Sequence, residues 1–127
     1  SAQASGSGPL EVTMRDEGPI IKHGDQLPTG PTTQPLLTGA GAQVRSDDDI
    51  VVQYFVSGWN DGIERQSTWR TGVPERVRLS ELMPGLRPLL IDQKVGSRLA
   101  ITLPPDQATG DDTLCIVIDI LATTPTS

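Results

Sequence analysis

Apolar and polar positions alternate with a period of two along much of this chain, the pattern of strands that bury one face. Ile50 to Val56 is rich in β-branched and aromatic residues and leads to the turn signal Asn60-Asp61-Gly62, which predicts a long strand entering a hairpin. Ile63 to Trp69 reads as its return strand, and Arg76-Val77-Arg78-Leu79 alternates over a shorter stretch. Leu99, Ile101 and Leu103 alternate with Arg98, Ala100 and Thr102 until Pro104-Pro105 stops the strand. Thr113 to Leu121 carries so little polar character that it predicts a central strand covered on both faces. The period changes once: Leu82, Met83, Leu86, Leu89 and Leu90 recur near helical spacing. They predict one short helix starting near Gly85 or Leu86, where Pro88 falls in the first turn and costs no intrahelical bond. The fold class is α+β, an antiparallel sheet with one helix packed on it.

Residues 1–34 read differently, because Gly and Pro interrupt them at short intervals and their apolar pieces are brief: Leu10, Val12-Thr13-Met14, Ile20-Ile21 and Leu27. This composition predicts a flexible or extended arm with one short strand near Leu10–Met14, then a folded unit over 35–122 and a tail over 123–127. A length of 127 residues fits one small domain plus such ends. The opening Ser1-Ala2-Gln3-Ala4-Ser5-Gly6-Ser7-Gly8 lacks the basic and apolar regions of a signal peptide and suits a linker left after removal of a leader or a lipid-anchored cysteine. With an acidic surface, that opening favours an extracytoplasmic or cell-envelope location over a cytoplasmic one, and a neighbouring domain in a longer protein.

Charge narrows the partners. Ten Lys and Arg against sixteen Asp and Glu give a net charge of −6, which leaves no broad cationic surface for nucleic-acid phosphates. No apolar stretch approaches the roughly 18 residues of a membrane span. The single cysteine, Cys115, lies in the apolar run Leu114 to Ile118 and reads as a small buried hydrophobe rather than a reactive thiol. His23 is the only histidine and falls in the arm, a poor place for a triad or a metal centre. Asp47-Asp48-Asp49 reads as a solvated turn before a strand, since a calcium loop spaces its oxygen ligands and needs a Gly and a distal Glu. Gly39-Ala40-Gly41 reads as a turn, and Asp111-Asp112 as two carboxylates facing water. No metal and no cofactor are expected.

Three segments carry a resemblance to a known family: Thr38-Gly39-Ala40-Gly41 through Val51-Val52-Gln53-Tyr54; Trp59-Asn60-Asp61-Gly62 through Gln66-Ser67-Thr68-Trp69 to Gly72-Val73-Pro74; and Leu82-Met83-Pro84-Gly85-Leu86 followed by Lys94-Val95-Gly96, Pro104-Pro105, Ala108-Thr109-Gly110 and Thr113-Leu114. Together, over roughly Leu36 to Leu121, they resemble the FKBP-type peptidyl-prolyl isomerases. The resemblance implies a bent antiparallel sheet wrapped around one short α-helix and rotation of Xaa-Pro bonds in proline-containing polypeptides, with no residue acting covalently and no cofactor. It places Tyr54, Gln66, Leu82, Met83, Leu86, Thr109 and Ile116 around the prolyl pocket. Tyr54 matches the family's tyrosine wall, and Leu82-Met83 match the apolar pair whose second backbone amide holds the ligand.

The departures from the family pattern are concentrated in the pocket. Leu86 stands where the family has the tryptophan that floors it, Ile116 where it has a phenylalanine, and Arg65-Gln66 where it has Phe-Asp. Thr109 stands where the family's tyrosine bonds a ligand carbonyl, Glu75 and Val77 where aromatics are common, and the stretch between Gly110 and Thr113 lacks most of the overhanging loop. Arg65 is expected to pair with Glu64 or Glu75 in solvent. Leu86 and Ile116 keep the cavity apolar but remove flat surface for a pyrrolidine ring to stack on. Two functions follow, a weak isomerase that assists folding or a non-catalytic FKBP-like module that binds polypeptide or packs beside another domain, and fold alone does not separate them.

Overall fold

The computed structural model describes residues 8–126; the Ser1–Ser7 part of the linker-like opening lies outside the described residues. Eight strands and two short helices follow in order: β1 (Leu10–Arg15), β2 (Gly18–His23), β3 (Thr32–Leu37), β4 (Asp48–Gly58), β5 (Glu64–Ser67), α1 (Thr68–Thr71), β6 (Glu75–Arg78), α2 (Arg87–Leu90), β7 (Arg98–Leu103) and β8 (Leu114–Pro125). Strands β3-β7-β8-β4-β5 form one antiparallel sheet, in which β6 pairs with the first half of β4 while β5 pairs with its second half. β8 is central, paired along its length with β4 on one side and over Leu114 to Asp119 with β7 on the other. That position explains its unbroken apolar run, since side chains on both of its faces are shielded.

The two faces have separate cores. Ile50, Val52 and Val56 of β4, Leu99, Ile101 and Leu103 of β7, and Leu114, Ile116, Ile118 and Ile120 of β8 point to the inner face, two residues apart along each strand. They pack with Val44, Leu79, Leu86 and Leu90 from the connections and from α2. The helix is only four residues long, with Pro88 in its first turn as the sequence predicts. Gly85 lies just before it, where a Cβ would come within 2.6 Å of Gln107 Cβ, and its N–H donates to Gln107 O at 3.1 Å. This close approach, open only to glycine, fixes the loop ahead of the helix against the turn after β7.

On the outer face Ala100, Cys115 and Val117 are covered by Leu10, Val12 and Trp59, with Met14, Ile21 and Leu36 packed alongside. The cover is a β1–β2 hairpin, where an extended arm with one strand near Leu10–Met14 is expected from sequence. The expected strand is there, and Gly18, at φ 123°, closes a turn that returns the chain as its partner. Leu10 and Val12 are 3% and 5% exposed, so the hairpin is held by burial. Gln34, itself buried, donates from Nε2 to Leu10 O at 2.8 Å, and Thr32 and Thr102 hydroxyls meet at 2.6 Å across the sheet edge. Sheet structure thus begins before residue 35, and it also runs past 122, since Thr123, Thr124 and Pro125 stay in register with Ile50, Asp49 and Asp48.

Several polar expectations change with the tertiary structure. Asp48 is 5% exposed rather than solvated: it accepts from Arg45 N at 2.9 Å and from the Thr123 hydroxyl at 2.6 Å. Asp112 is buried too, accepting from Asn60 N at 2.9 Å and Asn60 Nδ2 at 3.0 Å, so it ties the entry of β8 to the β4–β5 turn while Asp111 faces water. His23 is ordered at the end of β2, stacked on Trp59 with ring centroids 3.6 Å apart and its Nε2 2.9 Å from Trp59 O. The return strand stops at Ser67, whose hydroxyl caps α1, and Gly72 ends that helix in the left-handed region. Among the described residues no helix is long and apolar enough to cross a membrane.

Candidate functional site

An apolar cavity of about 220 Å³ opens on the inner face between the sheet and the segment from the Leu79–Glu81 turn to Leu86. Val52, Tyr54 and Val56 of β4 and Ile116 and Ile118 of β8 form its sheet wall, because alternate residues of paired antiparallel strands project to the same side. Gln66 of β5 and Val77 of β6 border it, since both strands pair with β4. Leu82, Met83 and Leu86 close the opposite wall. Among the described residues, the Met83 amide makes no hydrogen bond to backbone or side chain, so a donor stands free beside an apolar hollow.

Of the residues expected around a pocket, Tyr54, Gln66, Leu82, Met83, Leu86 and Ile116 are brought together here. Thr109 is not: it lines a shallower neighbouring hollow of about 370 Å³ with Arg65, Gly110 and Leu114, and its hydroxyl lies 3.9 Å from Met83 Sδ. The two hollows share Val56, Gln66 and Met83, so they form one groove with a deep and a shallow end. Sequence reasoning missed Val52, Val56, Glu81 and Ile118. The three apolar ones were readable from the alternation of β4 and β8, but Glu81 depends on how the 3-10 turn is placed.

Tyr54 supplies the polar rim. Its hydroxyl lies 3.0 Å from Gln66 Oε1 and 3.1 Å from Glu75 Oε1. One phenolic proton serves only one acceptor, so donation to the Glu75 carboxylate is consistent with Gln66 turning its amide nitrogen to the tyrosine oxygen. Burial, reinforced by the hydrogen bond and the charge of Glu75, pushes the Tyr54 hydroxyl up to about 12. It is therefore a neutral donor throughout the physiological range. Arg65 does not pair with Glu64 or Glu75: its guanidinium sits on Asp61 at 2.9 Å with Asp112 at 3.9 Å, while Glu64 is taken by Arg70 at 2.6 Å. The β4–β5 turn brings Asp61 back over Arg65, a pairing that local sequence order does not announce. Asp61 and Glu64 are held below the usual carboxylate range chiefly by these hydrogen bonds.

Nothing in this groove is arranged for covalent chemistry. Cys115 lies on the outer face, and burial pushes its thiol up to about 12, with the Asp112 charge adding to the effect. Among the described residues no group of three or more His, Cys, Asp or Glu gathers to hold a metal ion. What remains is a mostly apolar hollow with a free amide donor and a neutral phenol at its edge, a geometry for holding an uncharged ring and its flanking carbonyls.

The fold matches solved structures of this kind. The chain superposes on FkpA from Escherichia coli with a TM-score of 0.71 and 23% identity, covering 91% of this chain and 53% of that one. It superposes on a peptidyl-prolyl cis-trans isomerase from Pseudomonas syringae pv. tomato with a TM-score of 0.65 and 24% identity, covering 74% and 75% of the two chains. The chain therefore folds as an FKBP-type domain, and it spans about half the length of FkpA. In sequence it is 29% identical to the probable FK506-binding protein of Corynebacterium glutamicum over 76% of this chain and 94% of that one. No family model matches the chain. Fold, motifs and this relative agree in a likeness to the FKBP-type proteins.

Proposed function

We propose that the chain is a peptidyl-prolyl cis-trans isomerase whose substrates are proline-containing polypeptides. The observation that carries this reading is the apolar cavity on the inner face, bounded by Tyr54, Leu82, Met83, Leu86 and Ile116 in an FKBP-type fold. Rotation about an Xaa-Pro bond is opposed by a barrier of about 18–20 kcal/mol because amide resonance is lost in the twisted state. The twisted amide is less polar than the planar one, so a water-poor apolar wall favours it over the ground state. The Met83 amide supplies a donor that orients a flanking carbonyl, while the Tyr54 hydroxyl, whose proton goes to Glu75, forms the polar rim. Rotation about the bond requires no nucleophile.

Leu86 and Ile116 line the cavity as aliphatic side chains, and Thr109 stands outside it, so the prolyl ring gains less stacking surface than an aromatic floor gives. The reading is therefore of a weak isomerase that assists the folding of proline-containing polypeptides. The same missing aromatics favour a second reading, a polypeptide-binding or structural module without turnover. Exchange NMR on a Leu-Pro peptide, with the protein at substoichiometric concentration, separates the two. Faster cis-trans interconversion, absent with heat-denatured protein, is expected. Unchanged exchange across peptides with different residues before proline leaves only the binding module.

A further inference from the structure

We propose that this groove selects Xaa-Pro segments with a Lys or Arg flanking the Xaa-Pro pair, and that Glu75 and Glu81 are the residues that set this preference. The proposal rests on the isomerase reading of the same cavity and adds its substrate class. Glu81 is the one charged side chain lining the deep end of the groove. Glu75 stands at the rim, with its Oε1 3.1 Å from the Tyr54 hydroxyl. It shares a face of β6 with Val77, whereas Arg76 and Arg78, at the alternate positions, turn away onto Asp49 at 3.3 Å and 3.6 Å. Those guanidiniums are therefore not available to neutralise it. Among the described residues, neither Glu75 nor Glu81 has an ion-pair partner.

The cation at the shallow end does not balance them. Arg65 lines that hollow, but Asp61 and Asp112 already face its guanidinium. A peptide with its proline in the deep end would extend flanking residues over a rim that carries two uncompensated carboxylates. A cationic side chain there gains attraction, and an anionic one meets repulsion. In water, one unit-charge pair at contact distance is worth roughly fivefold in affinity, and salt weakens it because both partners are solvent-exposed.

The test uses three blocked peptides with a common Leu-Pro core and Lys, Ala or Glu after the proline, with a second set placing the variable residue before the leucine. Kd is measured by NMR titration and interconversion by exchange NMR, at low and high salt. In at least one set, the Lys peptide is expected to bind roughly fivefold more tightly than the Ala peptide at low salt, and the Glu peptide more weakly than the Ala peptide. The contrast should shrink at high salt, shrink in Glu81→Gln and Glu75→Gln, and persist in Glu11→Gln, which removes the same charge from an exposed position on the outer hairpin. Equal affinities in both sets, no binding by any peptide, or loss of the contrast in Glu11→Gln as complete as in Glu81→Gln would overturn it. The Ala peptide reads the isomerase assignment separately: binding without faster exchange contradicts turnover, while the Lys-to-Glu ratio still decides the preference.

Discussion

The inner and outer faces belong to one sheet, yet the inner one carries the apolar cavity while the core of the outer one lies under a hairpin. On the inner face the bent sheet holds large β-branched side chains against a helix of only four residues, and that small element cannot fill the concavity. On the outer face Ala100, Cys115 and Val117 are smaller, and the β1–β2 hairpin covers them with Leu10 and Val12. The cavity thus lies where the short helix leaves part of the sheet's inner face uncovered. Binding chemistry follows from that uncovered apolar wall, and the hairpin adds stability by burying Leu10 and Val12 on the other side.

Substitutions can pull the two faces apart. The largest effect is expected for Ile116→Ala, which removes a side chain 1% exposed that also lines the cavity: about 2–5 kcal/mol of stability by denaturant unfolding, together with lower isomerase turnover. Leu10→Ala on the outer face should cost about 2–3 kcal/mol in the same assay, with turnover per folded molecule unchanged. A drop in turnover that matches Ile116→Ala would mean that the faces are coupled. Tyr54→Phe deletes the hydroxyl that meets Glu75 and Gln66 and should lower kcat/KM by about two- to tenfold with little change in Tm.

A further test lies at alkaline pH. Tyr54 is raised from 10.0 to about 12 and Cys115 from 9.0 to about 12, in each case mainly by burial. The folded state keeps protons that the unfolded chain gives up, so these contributions are fully present below pH 9–10 and are lost as pH rises through about 12. Tyr54 is the only tyrosine, so tyrosinate absorbance reports it alone. A midpoint near 10 in the folded protein would contradict the burial and hydrogen bonding described for it.

Much of the inner face was legible in the sequence because the two-residue period of β4, β7 and β8 states which side chains share a side. Pro88 located the helix start, and the resemblance gathered Tyr54, Gln66, Leu82, Met83, Leu86 and Ile116 around a pocket. The outer face was less legible. The alternation of Leu10, Val12 and Met14 is present, but surrounding Gly and Pro outweighed it, and the turn at Gly18 pairs strands whose stability comes from residues distant in sequence, Trp59, Ala100, Cys115 and Val117. The short helix α1 had its Ser67 cap and Gly72 stop in plain view, yet four residues are too few for a helical period to emerge. The partners of Arg65 and Asp112, and the placement of Glu81 and Thr109 at opposite ends of the groove, depend on where loops land, which no local pattern encodes.

The decisive experiment is an NMR titration of the protein with a Leu-Pro peptide, read on methyl and backbone resonances of both faces. The account predicts saturable shifts at Val52, Leu82, Met83, Ile116 and Ile118, with Leu10, Ala100 and Val117 unmoved. Shifts confined to the outer face, or faster isomerisation with no response from the cavity residues, would contradict it.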